Sequence, residues 1–130
     1  MSVNVVIADD SPVLRHAIRR CLQAAGLTVC GEAENGRDAV QSVRQLQPDV
    51  VVLDFQMPGM TGIEAATQIP SGSPNTAMIL FTLYSSDQLV RDARRVGVKR
   101  VLSKEEGIEH LLNAVGELVT GSSAAAAKDT

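Results

Sequence analysis

The sequence predicts an α/β fold in which a five-stranded parallel sheet is covered by helices on both faces. Five short runs rich in Val, Ile and Leu lack the alternation of polar and apolar residues that half-exposed strands show, so each is expected to be buried on both faces. Between these runs, apolar residues recur at helical spacing. A chain of 130 residues fits one such domain. The strands are predicted at residues 3–8, 28–33, 50–53, 77–81 and 99–102.

The first two helices have well-marked ends. Ser11 and Pro12 are predicted as the N-cap and the first residue of helix one, and Gly26 ends that helix. The second helix follows the Asn-Gly turn at residues 35–36 and stops before Pro48. Each helix carries one apolar face, which predicts that both pack on the sheet.

The other three helices are predicted from shorter patterns. The third spans residues 61–69 and is closed by a loop at residues 70–74 that contains two prolines. The fourth carries an apolar stripe over residues 89–96 and ends at Gly97, and the fifth carries one over residues 108–119. The chain therefore alternates strand and helix five times, as a parallel sheet requires.

The last residues, 121–130, are low in sequence complexity. We expect them to form a flexible tail or linker after a domain of residues 1–120. The alternative is that the Ala run at residues 124–127 extends the last helix.

Composition narrows the class of protein. Apolar residues make up 45% of the chain and aromatic residues only 2%, so the core is expected to be aliphatic. The net charge is −3 without a basic stripe, and direct binding of nucleic acid is not expected. Cys21 and Cys30 form no metal or redox motif and are expected to pack as small apolar residues. No apolar run reaches the length of a membrane span, and the N-terminus lacks a secretory pattern, so a cytoplasmic location is expected.

Polar side chains follow four of the five predicted strands. Because the carboxyl ends of parallel strands share one edge of the sheet, these side chains are expected to converge there. Clustered carboxylate oxygens suit Mg²⁺, which usually takes one or two protein carboxylates beside water and phosphate. An ammonium group facing the ion would stabilise a phosphoryl group, and a carboxylate would act as its nucleophile. The residues are Asp9, Asp10, Asp54, Thr82 and Lys104.

Over residues 3–119 the chain resembles the receiver domain of two-component response regulators. The resemblance rests on the acid pair at residues 9–10, on Asp54 after Leu53, and on the Met-Pro-Gly-Met-Thr-Gly segment at residues 57–62. Thr82 and Lys104 complete the motif set at the two following strand ends. The resemblance implies a flavodoxin-like (βα)₅ fold with strand order 2-1-3-4-5.

The resemblance also implies a Mg²⁺ site. Asp10 would bind the ion directly, and Asp9 directly or through water. Asp54 would be a third ligand, and the backbone carbonyl of Gln56 would complete the ligands from the protein.

The same resemblance implies how a phosphoryl group is accepted. Asp54 would be the phosphoacceptor, and the donor would be a sensor histidine kinase or a His-phosphotransfer protein. Lys104 would contact the phosphoryl oxygens. Thr82 would hydrogen-bond the phosphoryl group and draw the following loop inward, which changes the conformation that an output domain or partner protein meets.

Several positions differ from the common family pattern. Val101 stands where many receivers have an aromatic residue, so the signal is expected to travel through a backbone shift of the loop after strand four. Glu105 stands where a proline often follows the lysine. Leu83 is bulky, and with Tyr84 it is expected to screen the acyl phosphate from water. The alternative is that Leu83 packs on helix four.

Two other classes of protein, one an enzyme and one a cofactor-binding domain, fit the sequence less well. A phosphatase of the haloacid-dehalogenase type also uses a strand-end Asp and Mg²⁺, but it needs an acid two positions later, where Gln56 stands. A dinucleotide-binding Rossmann domain needs a Gly-rich motif after the first strand, and none follows Asp9-Asp10. The chain is therefore expected to be a signalling regulator and not an enzyme.

Two kinds of receiver remain open at this point. One is a stand-alone regulator whose phosphorylated face binds a partner protein. The other is the N-terminal receiver of a longer transcription regulator, with residues 121–127 as the start of its linker. Homodimers are a further assembly expected of the family, and the sequence assigns no patch to them.

Overall fold

The computed structural model describes residues 3–128, and side chains as far as residue 119. All five strands are parallel and pair in the order β2-β1-β3-β4-β5, which confirms the predicted sheet. Helices follow each strand, which confirms the (βα)₅ pattern. In chain order the elements are β1 Asn4–Ala8, α1 Pro12–Ala24, β2 Thr28–Ala33, α2 Gly36–Leu46, β3 Val50–Leu53, α3 Gly62–Gly72, β4 Ala77–Thr82, α4 Asp87–Arg95, β5 Val98–Ser103 and α5 Ile108–Lys128.

Hydrophobic clusters cover both faces of the sheet. One contains buried residues of α2, α3 and α4, such as Ile69, and the other contains buried residues of α1 and α5, such as Leu22 and Leu111. Successive residues of a strand point to opposite faces, so Val6 joins the first cluster and Val5 the second. This two-sided burial explains why the strand sequences do not alternate with polar residues.

Side-chain caps fix where the helices start. Ser11 Oγ accepts a hydrogen bond from Leu14 N at the start of α1, at 3.2 Å, as its N-cap role requires. At α3, Thr61 and Glu64 form a reciprocal capping box. These caps therefore hold in place the helix N-termini that lie next to the carboxyl ends of the strands.

Helix α3 continues past the predicted stop. It runs to Gly72 with Pro70 inside it, although a proline cannot donate to the preceding turn. The carbonyl of Gln68 in this last turn accepts hydrogen bonds from the Arg44 guanidinium at 3.1 Å and from the Ser71 hydroxyl at 3.0 Å. These side-chain contacts lie in the turn that continues one turn past the stop that the sequence pattern predicts.

The C-terminal end also differs from the simplest prediction. The backbone of α5 is helical as far as Lys128, in agreement with the alternative that the Ala run extends the last helix. A domain boundary at residue 120 stays a prediction, and residues 129 and 130 lie outside the described residues. Within the described part, no helix is both long and apolar enough to cross a membrane.

Candidate functional site

Strand register brings the predicted site residues to one edge of the sheet. Ala8 pairs with Leu53, so the acids that follow them start side by side, and Asp54 N donates to the carbonyl of Ala8 at 2.9 Å. Thr82 is the last residue of β4 and pairs with Ser103, which places Lys104 directly after the end of β5.

The three acids form a compact cluster. Asp9 and Asp54 are 2% and 6% exposed, whereas Asp10 is exposed. One carboxylate oxygen from each residue can be chosen so that all three lie within 4.8 Å of one another. Buried carboxylates at this separation repel each other unless a cation compensates them.

Lys104 supplies one such cation. Its Nζ lies 2.7 Å from Asp9 Oδ2 and 2.9 Å from Asp54 Oδ2, so a single ammonium group bridges the two buried acids. Burial acts to lower the pKa of Lys104, but the hydrogen bonds and charges of both carboxylates outweigh it and raise that pKa. Lys104 therefore stays charged at neutral pH.

For the pKa of Asp54, burial outweighs the contacts that favour the charged form. Burial is the largest effect and raises its pKa, and the charge of Asp9 raises it further. The Lys104 ammonium and the Thr82 hydroxyl lower it, without cancelling the rise. Lys104 alone therefore does not fully compensate this carboxylate.

The loop after β3 requires glycines. Gly59 has a φ of 78°, in the left-handed region that favours glycine. Gly62 lies so close to the end of β3 that an added Cβ would be 2.2 Å from the carbonyl oxygen of Asp54. Gly62 N also donates to the carbonyl of Phe55 at 2.8 Å, which folds the loop back onto the strand end.

The loop after β4 forms the other wall. Thr82 is fully buried, and its hydroxyl accepts a hydrogen bond from Tyr84 N at 3.1 Å. Leu83 and Tyr84 are 63% and 51% exposed, so Leu83 is not buried against α4. The Tyr84 ring meets the Phe55 ring edge-on with 6.0 Å between centroids, and this contact links the loops after β3 and β4.

All six site residues predicted from the sequence line one cavity of about 260 Å³. Ser11, Leu83 and Tyr84 also line it. The sequence pattern predicts Ser11 only as a helix cap, yet its N–H also donates to Asp9 Oδ1 at 2.9 Å. The signal for this second role was its position two residues after the acid. The six predicted residues are Asp9, Asp10, Asp54, Gln56, Thr82 and Lys104.

The donor set fits a divalent cation. Three carboxylates and one ammonium group leave a formal charge of −2 when all are ionised, which one divalent ion balances. The oxygen ligands are those that Mg²⁺ prefers, and the cavity leaves room for water or phosphate.

Comparison with known proteins identifies the family. A family model for the response regulator receiver domain matches residues 5–116. The chain belongs to this family. It is therefore a receiver domain of the kind found in two-component response regulators, and the resemblance predicted from the motifs is confirmed.

Individual relatives of the receiver domain differ in length. This chain is 36% identical over 120 residues to the uncharacterized transcriptional regulatory protein YxjL of Bacillus subtilis, and the match covers 92% of this chain and 55% of YxjL. It is 36% identical over 104 residues to the chemotaxis protein CheY of Thermotoga maritima, covering 80% and 87%. The chain thus spans about half the length of the regulator from Bacillus.

A solved structure extends the comparison. The CheX-CheY-BeF₃-Mg²⁺ complex of Borrelia burgdorferi contains a chain that matches this one with a TM-score of 0.85 and 27% identity, covering 90% of this chain and 89% of that one. The fold is therefore shared along nearly the whole receiver domain.

Proposed function

We propose that this receiver domain accepts a phosphoryl group on Asp54 in a Mg²⁺-dependent reaction. The observation that carries the proposal is the position of Lys104, whose ammonium contacts the carboxylate of Asp54 within a cluster of three acids. Phosphoryl transfer to a buried carboxylate needs a charged hydrogen-bond donor and a divalent ion beside it.

In the proposed reaction, a carboxylate oxygen of Asp54 attacks the phosphorus of a phosphorylated imidazole. An O–P bond forms as the N–P bond breaks, and the imidazole leaves after taking up a proton. Asp9, Asp10, Asp54 and the backbone carbonyl of Gln56 would hold Mg²⁺, which supplies charge neutralisation at the transferred group. Lys104 and the Thr82 hydroxyl would bind the phosphoryl oxygens.

The Borrelia relative supports this proposal, since its structure is a complex with BeF₃ and Mg²⁺. The phosphorylated imidazole would belong to a sensor histidine kinase or a His-phosphotransfer protein. The phosphorylated form would regulate an output domain or a partner protein, by favouring one of two conformations of the loop after β4. This role makes the chain a cytoplasmic signalling regulator, not an enzyme acting on a separate substrate.

Replacing the phosphoacceptor tests the proposal. Asp54→Asn should gain no phosphoryl group from acetyl phosphate, because an amide cannot act as the nucleophile, and a chelator should have the same effect on the wild type. Intact-mass spectrometry measures the product. Asp92→Asn is a matched control, because Asp92 lies on α4 outside the cavity and bonds to Gln88.

Two results would contradict the proposal. One is normal phosphoryl incorporation in Asp54→Asn. The other is a wild-type chain that neither incorporates a phosphoryl group nor binds beryllofluoride in the presence of Mg²⁺.

A further inference from the structure

We propose that Arg15 of α1 is a positioning residue for the metal-binding acid pair. Its guanidinium makes two contacts in different directions. One nitrogen donates to the backbone carbonyl of Asp9 at 2.5 Å, and Nε donates to Glu32 Oε1 of β2 at 3.1 Å. The Arg15 side chain is only 15% exposed, so these contacts are held within the surface of the domain. This inference rests on the proposed function of the site.

The carbonyl of Asp9 lies where β1 ends and its regular pairing stops. Asp9 N still donates to the carbonyl of Ala33 at 3.0 Å, as part of the sheet edge. The Asp9 carbonyl is one step further along the chain and is bonded by Arg15. Because the peptide unit is planar, the direction of this carbonyl also fixes the direction in which the chain enters Asp10. Arg15 therefore determines how the exposed acid of the pair is presented.

Every other polar group of Asp9 has a partner as well. Its Oδ1 accepts from Ser11 N at 2.9 Å, and its Oδ2 lies 2.7 Å from Lys104 Nζ. The residue is thus held at its backbone and its side chain by groups from several elements. Among these contacts, only Arg15 holds the peptide that joins the two acids.

Glu32 fixes Arg15 in turn. Arg15 and Arg19 each donate through Nε to a different oxygen of Glu32, the second at 2.6 Å. Burial acts to raise the pKa of Glu32, but the hydrogen bonds from Arg19 and Arg15 lower it, so the carboxylate is ionised at neutral pH. A planar guanidinium is well suited to serve a carboxylate and a carbonyl together.

The charge of Arg15 and its positioning role predict opposite effects on Mg²⁺ affinity when the residue is removed. Arg15 is a cation near the site that would hold Mg²⁺, so its charge alone opposes the binding of the ion. If charge dominated, its removal would tighten Mg²⁺ binding. If position dominates, its removal lets the Asp9-Asp10 peptide rotate and weakens Mg²⁺ binding. The sign of the change therefore separates the two effects.

Titration calorimetry of Mg²⁺ binding to the full chain provides the test. Arg15→Ala should raise the Kd for Mg²⁺ about tenfold, the lower end of what losing an outer-shell partner of a metal site costs. Arg19→Ala is the matched control, because it loses the same kind of contact to Glu32 but has no hydrogen bond to Asp9. It should leave the Kd within about twofold of wild type.

Two further variants guard against a simple loss of folding. Arg15→Lys keeps the charge but cannot reach both acceptors with one planar group, so its Kd should lie between those of wild type and Arg15→Ala. Glu32→Gln weakens the support of Arg15 without removing it, and it should raise the Kd less than Arg15→Ala does. Urea unfolding of each variant shows whether the fold is retained.

The outcomes separate this inference from the proposed function. A folded Arg15→Ala that binds Mg²⁺ as tightly as wild type, or more tightly, overturns the role of Arg15 alone. An equal loss of affinity in Arg19→Ala would also overturn it, since the effect would then be a general one. A wild type that binds no Mg²⁺ overturns the proposed function together with this inference.

Discussion

At the scale of single residues, Leu83 and Tyr84 form an exposed part of the cavity wall. Both side chains are more than half exposed, and both line the cavity that contains Asp54. Exposed apolar groups at the mouth of a small site restrict the approach of water to it. We therefore expect them to affect the lifetime of the proposed acyl phosphate more than its formation.

Leu83→Ala should therefore shorten the lifetime of the acyl phosphate by a few-fold, because water reaches the phosphoryl group more easily. The loss of phosphoryl group after removal of the donor, followed by intact-mass spectrometry, measures it. Leu46→Ala serves as the control, since Leu46 is also exposed, at 44%, but lies at the end of α2 outside the cavity. Equal or slower loss in Leu83→Ala would refute the screening role.

The identity of the site residues was easier to predict from the sequence than the contacts between side chains. The acids, Thr82 and Lys104 were predicted because each follows a strand and parallel strands end at one edge. The contact of Arg15 with the Asp9 carbonyl was not predicted, because it depends on how α1 lies beside β2. A sequence pattern gives the apolar face of a helix, but not which polar side chain reaches a backbone atom of another element.

At the scale of elements, the loop between β3 and α3 depends on a close backbone approach. The first residue of α3, Gly62, lies against the carbonyl of Asp54, where no side chain fits. Helix α3 therefore starts directly beside the proposed phosphoacceptor. Any change of its first turn would move the carbonyl of that residue.

Gly62→Ala should lower the free energy of unfolding by about 1–3 kcal/mol, because the added Cβ forces the backbone to shift. Gly116→Ala is a matched control within α5, where an added Cβ meets nothing within 4 Å. That variant should gain about 0.5–1 kcal/mol, since alanine is the better helix former. Urea unfolding measures both. A Gly62→Ala variant as stable as wild type would contradict the close approach that the structure shows.

Element boundaries were less predictable than the elements themselves. Pro70 was expected to stop α3, but the helix runs to Gly72, and Arg44 from α2 donates to the carbonyl of Gln68 in its last turn. A 3₁₀ turn at Lys104–Glu106, capped by the Ser103 hydroxyl, was not predicted either. In both places a side chain forms a hydrogen bond with a backbone group near the end of an element, and local propensity does not describe such contacts.

At the scale of the whole molecule, a site that gathers buried acids reduces the stability of the fold that builds it. The raised pKa of Asp54 is the measurable sign of this cost, with burial as its main cause and Asp9 as the second. The unfolded chain therefore releases the proton of Asp54 at a lower pH than the folded chain does. Between these two pKa values, the stability of the folded chain falls as the pH rises, and the penalty persists above them.

With a chelator present, Asp54→Asn should thus gain stability relative to wild type as the pH rises from below the ordinary aspartate range to neutrality. The Asn side chain has no charge to bury, although it also loses the ion pair with Lys104. That ion pair forms only when Asp54 is ionised, so its effect is already contained in the net rise of the pKa of Asp54. The slope of the stability difference with pH is therefore the quantity to compare. Urea unfolding at a series of pH values measures it, and a difference that is constant or falls with pH would contradict the expectation.

Sheet order is a property of the whole chain that periodicity does not encode. The five buried strands were predicted from short apolar runs without polar alternation, but the order β2-β1-β3-β4-β5 came from resemblance to a family. Apolar strands buried on both faces look alike in sequence, since each meets helices above and below. The helices lie on the two faces of the sheet, α1 and α5 on one and α2 to α4 on the other, and the sequence of a single strand does not specify this arrangement.

The position of Tyr84 has a practical consequence. The chain contains one Tyr and no Trp, so nearly all its ultraviolet fluorescence originates from this ring. The ring stands edge-on to Phe55 at the rim of the acidic cavity, and its backbone N–H is bonded to the Thr82 hydroxyl. Emission from the unlabelled protein therefore reports on a single place, next to the predicted phosphoacceptor. The molecule carries its own optical probe at the point where its switching is expected to start.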